Sequence, residues 1–252
     1  MNKQTEFYEE LASFYHLIFE DWDKSILQQG DILSKLLPLA TIADPILDCA
    51  CGIGTQALAL AKLGYEVEAS DLSPSEISRA KKEAQIRGLS IHFRTDDMRL
   101  LNAAPLSHYG VVMAMDNSIP HLDTDEEILQ ALVSMRNRLK KGGILLLSLR
   151  DYAAILREHP NITPPNFFMD GKYRRIVHQV WDWIDSRRYI VHLYITYENI
   201  EGWKSFHFAG KYRAIEVNDL ASLVIRAGFS DMRILKQTET NYYQPIIYAK
   251  TR

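Results

Sequence analysis

An α/β fold with an open, mostly parallel sheet is what this 252-residue chain predicts, and three observations predict it. The first is the run P-I-L-D-C-A-C-G-I-G-T-Q-A-L-A-L-A-K-L-G-Y-E-V-E-A-S-D over residues 45–71. It reads as strand, tight loop, helix, strand and acid, one half of the α/β unit that cradles nucleotides. The second is its sequel, apolar runs that each close on polar residues: D-D-M at 96–98, D-N-S-I-P-H-L at 116–122, L-R-D-Y at 149–152. The third is the break after residue 157, where alternating runs rich in Val, Ile, Tyr and Trp replace the strand–helix rhythm.

Taken in order, residues 5–20 set Phe7, Leu11, Phe14, Tyr15, Ile18 and Phe19 at helical spacing. A second helix is expected over 23–37, ending at Pro38. Neither belongs to the strand–helix repeat, so residues 1–40 are expected to form a helical lid. Tyr8, Tyr15 and Trp22 in this lid either pack its core or touch a bound cofactor. Ile46 and Leu47 begin the first strand, and Asp48 interrupts its end. A small-residue turn leads into the helix starting near Thr55, which Gly64 stops; the second strand, 65–69, delivers Asp71 and Leu72. Ser73 as N-cap, Pro74 in the first turn and Gly88 at the close frame the next helix.

Further strands are expected at 89–93, 109–115 and from Gly143 to the Arg150–Tyr152 segment, with a helix at 125–139 before the last. Residues 158–171 read as a proline-rich loop, and 173–183, 189–198 and 203–215 as antiparallel strands. A helix at 217–227 and strands at 232–238 and 243–249 return the chain to the main sheet. One domain results: lid 1–40, core 41–157 and 216–252, and a β insertion 158–215 on the substrate side.

The loop after Asp48 carries the first chemistry. Glycines let backbone approach a ligand that a Cβ would exclude. The helix start turns unpaired N–H groups toward the same place. An acid about 20 residues downstream suits a ribose diol. Two cofactors compete. A nicotinamide loop passes straight from strand to G-x-G-x-x-G, whereas here an Asp precedes the loop and Ala57 holds the third glycine position. S-adenosylmethionine (SAM) has an ammonium, a sulfonium and no phosphate, which fits an acid-bearing loop better.

Bulk properties narrow the field. A hydrophobic share of 47% and a charged share of 24% are ordinary for a globular protein. A net charge of −3 argues for neither nucleic acid nor membrane, no apolar run is long enough to span a bilayer, and the N-terminus is too acidic for a secretory signal, so a cytoplasmic location is expected. Cys49 and Cys51 are the only cysteines, too few for a metal cage. His178, His192 and His207 match no compact ligand spacing, so no metal is expected. Arg174-Arg175 and Arg187-Arg188 read as solvated strand edges.

Together the loop D-C-A-C-G-I-G-T, Asp71, D-D-M, N-S-I-P-H-L and L-R-D-Y resemble a class I SAM-dependent methyltransferase, with its Rossmann-like seven-stranded sheet. More narrowly, the chain resembles the glycine and sarcosine N-methyltransferases, which carry Asn-Ser-x-x-His-Leu after the fourth strand and Arg-[Asn/Asp]-Tyr after the fifth. The resemblance implies that the backbone around Ala50, Gly52 and Gly54 holds the methionine part of SAM and Asp71 its ribose. Asp97 and Met98 would flank adenine, with Met115 and His121 beside the cofactor. Asn117 would meet the substrate amine and Arg150 its carboxylate, with Tyr194 and Tyr212 closing around it. The family's arginine near the second helix has only Lys24 in its place here. Residue chemistry points the same way. A bidentate arginine suits a planar carboxylate, and Asn can hydrogen-bond an amine without stabilising its charged form. A small amino acid is the expected substrate. Another amine or carboxylate metabolite, a nicotinamide-dependent oxidoreductase and a non-catalytic SAM-binding protein are the alternatives; the oligomeric state is left open.

Overall fold

The computed structural model describes residues 3–37 and 44–252. The expected lid–core boundary at 40–41 and the stop at Pro38 lie outside the described residues. The first parallel unit comprises β1 (Ile46–Asp48), α3 (Thr55–Lys62), β2 (Val67–Asp71), α4 (Pro74–Ile86) and β3 (His92–Thr95). A second unit runs in the opposite direction across the sheet: β4 (Tyr109–Ala114), α5 (Asp125–Arg138) and β5 (Leu139–Ser148). After α7 (Val217–Arg226), β10 (Ser230–Leu235) and β11 (Ile246–Lys250) add antiparallel strands, giving the order β10-β11-β5-β4-β1-β2-β3. The chain thus reverses direction between β1 and β4, which pair in parallel with Leu47 beside Val112. At such a switch point the strand ends part and leave a crevice for ligand.

Each strand feeds two cores because successive side chains point to opposite faces. Leu47 and Val112 join Ile128, Leu132, Leu220 and Val224 of α5 and α7. Ile46 and Val111 join Leu58, Leu60 and Ile77 of α3 and α4, together with Ile26 and Leu33 of α2 (Trp22–Leu36). Central strands buried on both faces explain the continuous apolar runs that made them legible.

Four antiparallel strands form a second sheet: β6 (Asn166–Asp170), β7 (Tyr173–Trp183), β8 (Arg188–Asn199) and β9 (Gly202–Arg213). Its inward face, with Val191, Leu193 and Phe208, packs into the first core. The first helix, α1 (Lys3–Leu11), lies on β9, where a Cβ on Gly210 would come within 3.0 Å of the Phe7 ring. That close approach seats the helix.

Several expectations change. The helix read over 5–20 stops at Leu11, and residues 15–18 form a separate 3-10 turn. The third strand starts at His92 rather than 89, and Tyr152 opens a short helix, α6 (Tyr152–Glu158), rather than ending a strand. The proline-rich stretch contains β6. At the C-terminus Gln237–Thr240 forms a helical turn, α8, so the last two strands are shorter than 232–238 and 243–249. Local periodicity marks an apolar face, but backbone hydrogen bonding decides where the element ends.

Arg175 is the sharpest of these corrections. It is 3% exposed, not a solvated edge. Its guanidinium donates to both carboxylate oxygens of Asp170 at 2.7 and 2.8 Å, to the carbonyl of Phe19 at 2.9 Å and to that of Leu17. It thereby ties the turn between the first two helices to the second sheet. The Asp170 side chain itself is 42% exposed, but the Arg175 guanidinium is buried and bonded to backbone and carboxylate partners at once, so this contact is a fixed joint. Arg174, by contrast, is exposed and pairs with Glu198.

Candidate active site

The turn after β1 makes the floor of a crevice lined by Ala50, Gly52, Thr55, Asp71, Leu72 and Glu76 among others. Gly52 sits at φ +53, where a Cβ would stand 3.0 Å from Glu76 Oε2. Asp71 ends β2 and holds the turn: its Oδ2 accepts from Gly52 N at 2.9 Å and its Oδ1 from Ser73 N at 3.0 Å. Gly54 takes no part in the wall. At φ +96 it is the N-cap of α3, packed under the turn against Leu58 and Ala80.

Acids dominate this crevice. Burial raises the carboxyl groups of Asp71 and Glu76, and pushes Asp48 up to about 8. Asp48 Oδ2 and Glu76 Oε1 are buried without a hydrogen-bond partner among the described residues. Uncompensated buried carboxylates favour a cationic ligand, which lowers their pKa values by supplying the missing charge. A sulfonium or ammonium meets that demand; a pyrophosphate adds to the charge excess. The side chains present thus fit SAM.

At the far wall stand Asp97, Met98 and His121. The Asp97 carboxylate is gripped by Arg99, with contacts of 2.6 to 3.1 Å, and Arg99 also reaches Glu127 at 2.6 Å. Asp97 is therefore partly engaged, with lone pairs left for a further donor. His121 Nδ1 lies 3.3 Å from the carbonyl of Lys211, which only accepts, so that nitrogen carries the proton. Nε2 then accepts from the Tyr8 hydroxyl at 2.6 Å. Burial pushes His121 down to about 4, against the pull of the Lys211 carbonyl, so the ring is neutral at physiological pH.

A second crevice of about 610 Å³ adjoins the first, and Tyr8, Tyr15 and Asp116 line both. Its polar wall is built at the ends of β4 and β5. Asn117 N donates to the Ser148 carbonyl at 3.1 Å, and Asn117 Oδ1 accepts from Arg150 N at 3.0 Å. Asn117 is 3% exposed, and its Nδ2 has no partner among the described residues. The Arg150 guanidinium lies 5.1 Å over Trp181 and 5.4 Å over Tyr212. Its only polar neighbours among the described residues are the Tyr189 hydroxyl and the Gln179 amide oxygen, each at 3.5 Å. The adjacent Asp151 does not pair with it; it caps α6 through Ala153 N at 3.2 Å. A half-buried cation with only long, neutral hydrogen-bond partners suits an incoming anion.

Three expected site residues lie elsewhere. Tyr194 points from β8 to the outer face of the second sheet, stacked on His178 and His207, while Val191 and Leu193 face the crevice. A one-residue step in a strand reverses the face, and one sequence does not set that register. Trp22 is buried in the core, donating from Nε1 to Thr55 Oγ1 at 2.9 Å. Met115 is 1% exposed in the same core and lines neither crevice. Tyr212 does reach the crevice, with its hydroxyl 3.3 Å from that of Tyr8.

Asp116, Tyr242 and Tyr243 were missed. Asp116 is the first residue of the D-N-S-I-P-H-L strand end, so its position was a usable signal; the tyrosines join it only through the β5–β11 pairing. On the outer face, β8–β9 pairing brings His192 Nδ1 to 2.8 Å from His207 Nε2 despite their separation in sequence. Among the described residues no group of three or more His, Cys, Asp or Glu side chains is placed to hold a metal ion. Nor, among them, is any helix long and apolar enough to cross a membrane.

Comparison with known proteins gives this geometry a family. A profile described as a methyltransferase domain matches residues 46–143. The glycine/sarcosine N-methyltransferase of Parasynechococcus marenigrum is 29% identical over 61% of this chain and 54% of its own length, so the chain spans about half of that relative. A SAM-dependent methyltransferase from Clostridium acetobutylicum superposes with a TM-score of 0.74 at 16% identity, over 98% of both chains. CalS10 of Micromonospora echinaspora, an amino pentose methyltransferase, superposes at 0.70 and 16% identity over 92% of both chains. Residues 46–143 thus resemble a methyltransferase domain, and the chain is built on the Rossmann-like fold that the class I methyltransferase structures share.

Proposed function

We propose that this chain transfers the methyl group of SAM to the amine of a small amino acid such as glycine or sarcosine. The observation that carries the acceptor half is Arg150: a guanidinium in the second crevice with no carboxylate partner among the described residues, beside Asn117, whose Nδ2 has no partner among them either. One binds a carboxylate and the other an amine. The cofactor half rests on the acid-lined crevice, where Asp71 and the turn at Ala50–Gly52 would hold SAM and Met98 would pack on its adenine.

SAM supplies a methyl carbon already activated by its sulfonium. Methyl transfer is then an in-line displacement, in which positioning does much of the catalysis. Arg150 would clamp the carboxylate bidentately, and Asn117 would accept an N–H or donate to nitrogen without adding charge. Tyr8, Tyr15 and Tyr212 close the junction of the crevices and keep water away. The 29% identity to a glycine/sarcosine N-methyltransferase supports this acceptor class.

A larger amine is the second reading: the substrate-side crevice, about 610 Å³, lies within the roughly 300–1,000 Å³ of ordinary ligand pockets and has more room than glycine or sarcosine fills. Transfer of labelled methyl from SAM to glycine, sarcosine, dimethylglycine and amino sugars tests both. Saturable transfer to the amino acids is expected. Transfer to amino sugars alone would replace the first reading with the second, and NAD(H) binding without SAM binding would refute both.

A further inference from the structure

An acceptor amine arrives at neutral pH as an ammonium, without the lone pair that displacement requires. Something must remove a proton, and the groups already assigned cannot. Asn117 is a neutral amide. His121 Nε2 is already engaged by the Tyr8 hydroxyl, and Arg150 is a cation. Asp116 remains. It is the carboxylate that, among the described residues, lines both crevices, where the amine and the methyl must meet. It and Asn117 follow β4 with φ of +58 and +67, a left-handed conformation that non-glycine residues rarely hold. Strain of this kind concentrates at functional sites. It is held here by Asp116 N donating to Ser148 Oγ at 2.8 Å and by the Asn117 contacts to β5.

The carboxylate is also oriented. Tyr242 donates to Oδ1 at 2.8 Å, and Tyr243 donates to the same oxygen. Both tyrosine bonds land on one oxygen, which leaves lone pairs on the other for a ligand proton. The adjacent Asn117, 3% exposed, has an Nδ2 without a partner among the described residues, a donor facing the same place for an acceptor atom of the ligand.

We propose that Asp116 is a catalytic residue, the base that accepts the proton of the acceptor's ammonium group; this rests on the amine reading above. The N–H bond breaks and its proton passes to the Asp116 carboxylate. The freed lone pair attacks the methyl carbon, the N–C bond forms, and the C–S bond breaks with its electron pair returning to sulfur as a neutral thioether. The proton later leaves Asp116 for solvent.

The surroundings suit the task. Burial raises the Asp116 carboxyl above its ordinary value, while hydrogen bonds from Tyr243, Gln56 and Tyr242 restrain the rise. The titratable or charged groups around it are Tyr15 from the N-terminal turn, Asp48 from the end of β1, Tyr242 and Tyr243, and Arg150 across the second crevice.

The test is the pH dependence of Asp116→Asn, which keeps shape and removes basicity. Turnover at neutral pH and saturating SAM should fall at least about 100-fold, the usual share of a general base. The variant's kcat/KM should climb with unit slope toward the amine's own pKa, where wild type levels off earlier. Tyr243→Phe, which removes one stabilising bond to the carboxylate, should move the acidic limb of the wild-type profile to higher pH. An unchanged profile in Asp116→Asn overturns the proposal. So does a rise in KM alone, which would make Asp116 an ammonium-binding group. If wild type methylates an amine lacking a carboxylate, the acceptor reading fails while the Asp116 test proceeds on that amine. If no amine is methylated, both fall.

Discussion

The two adjoining crevices are built on opposite electrical plans. The first is ringed by Asp71 and Glu76, with Asp48 buried close beneath, and its charge deficit is positive. The second has one lining cation, Arg150, whose own hydrogen-bond partners among the described residues are a neutral hydroxyl and an amide. The carboxylates of that crevice are Asp116, at the seam, and Asp151, which caps α6. Tyr8, Tyr15 and Asp116 form the seam between them. The difference teaches how the site separates its ligands. A cationic cofactor is drawn to one side and an anionic group to the other, so each ligand is repelled from the wrong place. What meets at the seam is the sulfonium methyl and the amine.

The comparison breaks most visibly at Arg150. Arg150→Ala removes charge-assisted hydrogen bonds of about 2–3 kcal/mol, which should raise the KM for a carboxylate-bearing acceptor roughly 30- to 150-fold. SAM affinity, measured by calorimetry, should change less than twofold, since Arg150 does not line the first crevice. Equal losses in both would make Arg150 a structural residue. The reciprocal change is Asp71→Ala, which unties the turn at Gly52 and the ribose contact together. It should weaken SAM binding by about tenfold or more at 1.5–3 kcal/mol per charged hydrogen bond, with acceptor KM at saturating SAM little altered.

Asp48 sharpens the electrical contrast through pH. Its folded-state pKa of about 8 exceeds the ordinary 3.8. Between those values the folded chain keeps a proton that the unfolded chain has lost, so the ligand-free protein should lose stability as pH rises through that window. Asp48→Asn should flatten the decline, giving a higher Tm than wild type at pH 8.5 and little difference at pH 4. A parallel loss in both proteins would remove Asp48 from the account. The smallest effect is expected at Tyr194→Phe. On the outer face, away from both crevices, it should leave kcat, both KM values and stability within about 0.5 kcal/mol of wild type. A tenfold rise in acceptor KM would restore the role the resemblance implied.

Legibility followed chain distance. The turn from Asp48 to Gly54, the acid at Asp71 and the cap at Ser73 were readable because each depends on neighbours within one strand–helix–strand unit, the longest tie being the 19 residues from Gly52 to Asp71. Arg150 and Asn117 were readable because a strand end locates them without any knowledge of packing. Trp22 and Met115 were misplaced for the opposite reason. An aromatic or thioether side chain suits a core as well as a ligand, and its neighbours decide which. Tyr194 was lost to register, and Arg175 to a partner more than 150 residues away.

By itself, then, the amino-acid sequence determined the α/β repeat, the switch-point crevice with its ring of acids, and the strand ends from which polar side chains emerge. Those follow from local periodicity, turn chemistry and the alternation of strands with helices. Only the tertiary structure decided which face of the second sheet meets the substrate, that Arg175 locks the N-terminal turn to it, and that Asp116 stands with Tyr242 and Tyr243 where the crevices join. These depend on strand register and on contacts between distant segments, which folding establishes through the summed packing of the whole chain and no short stretch encodes alone.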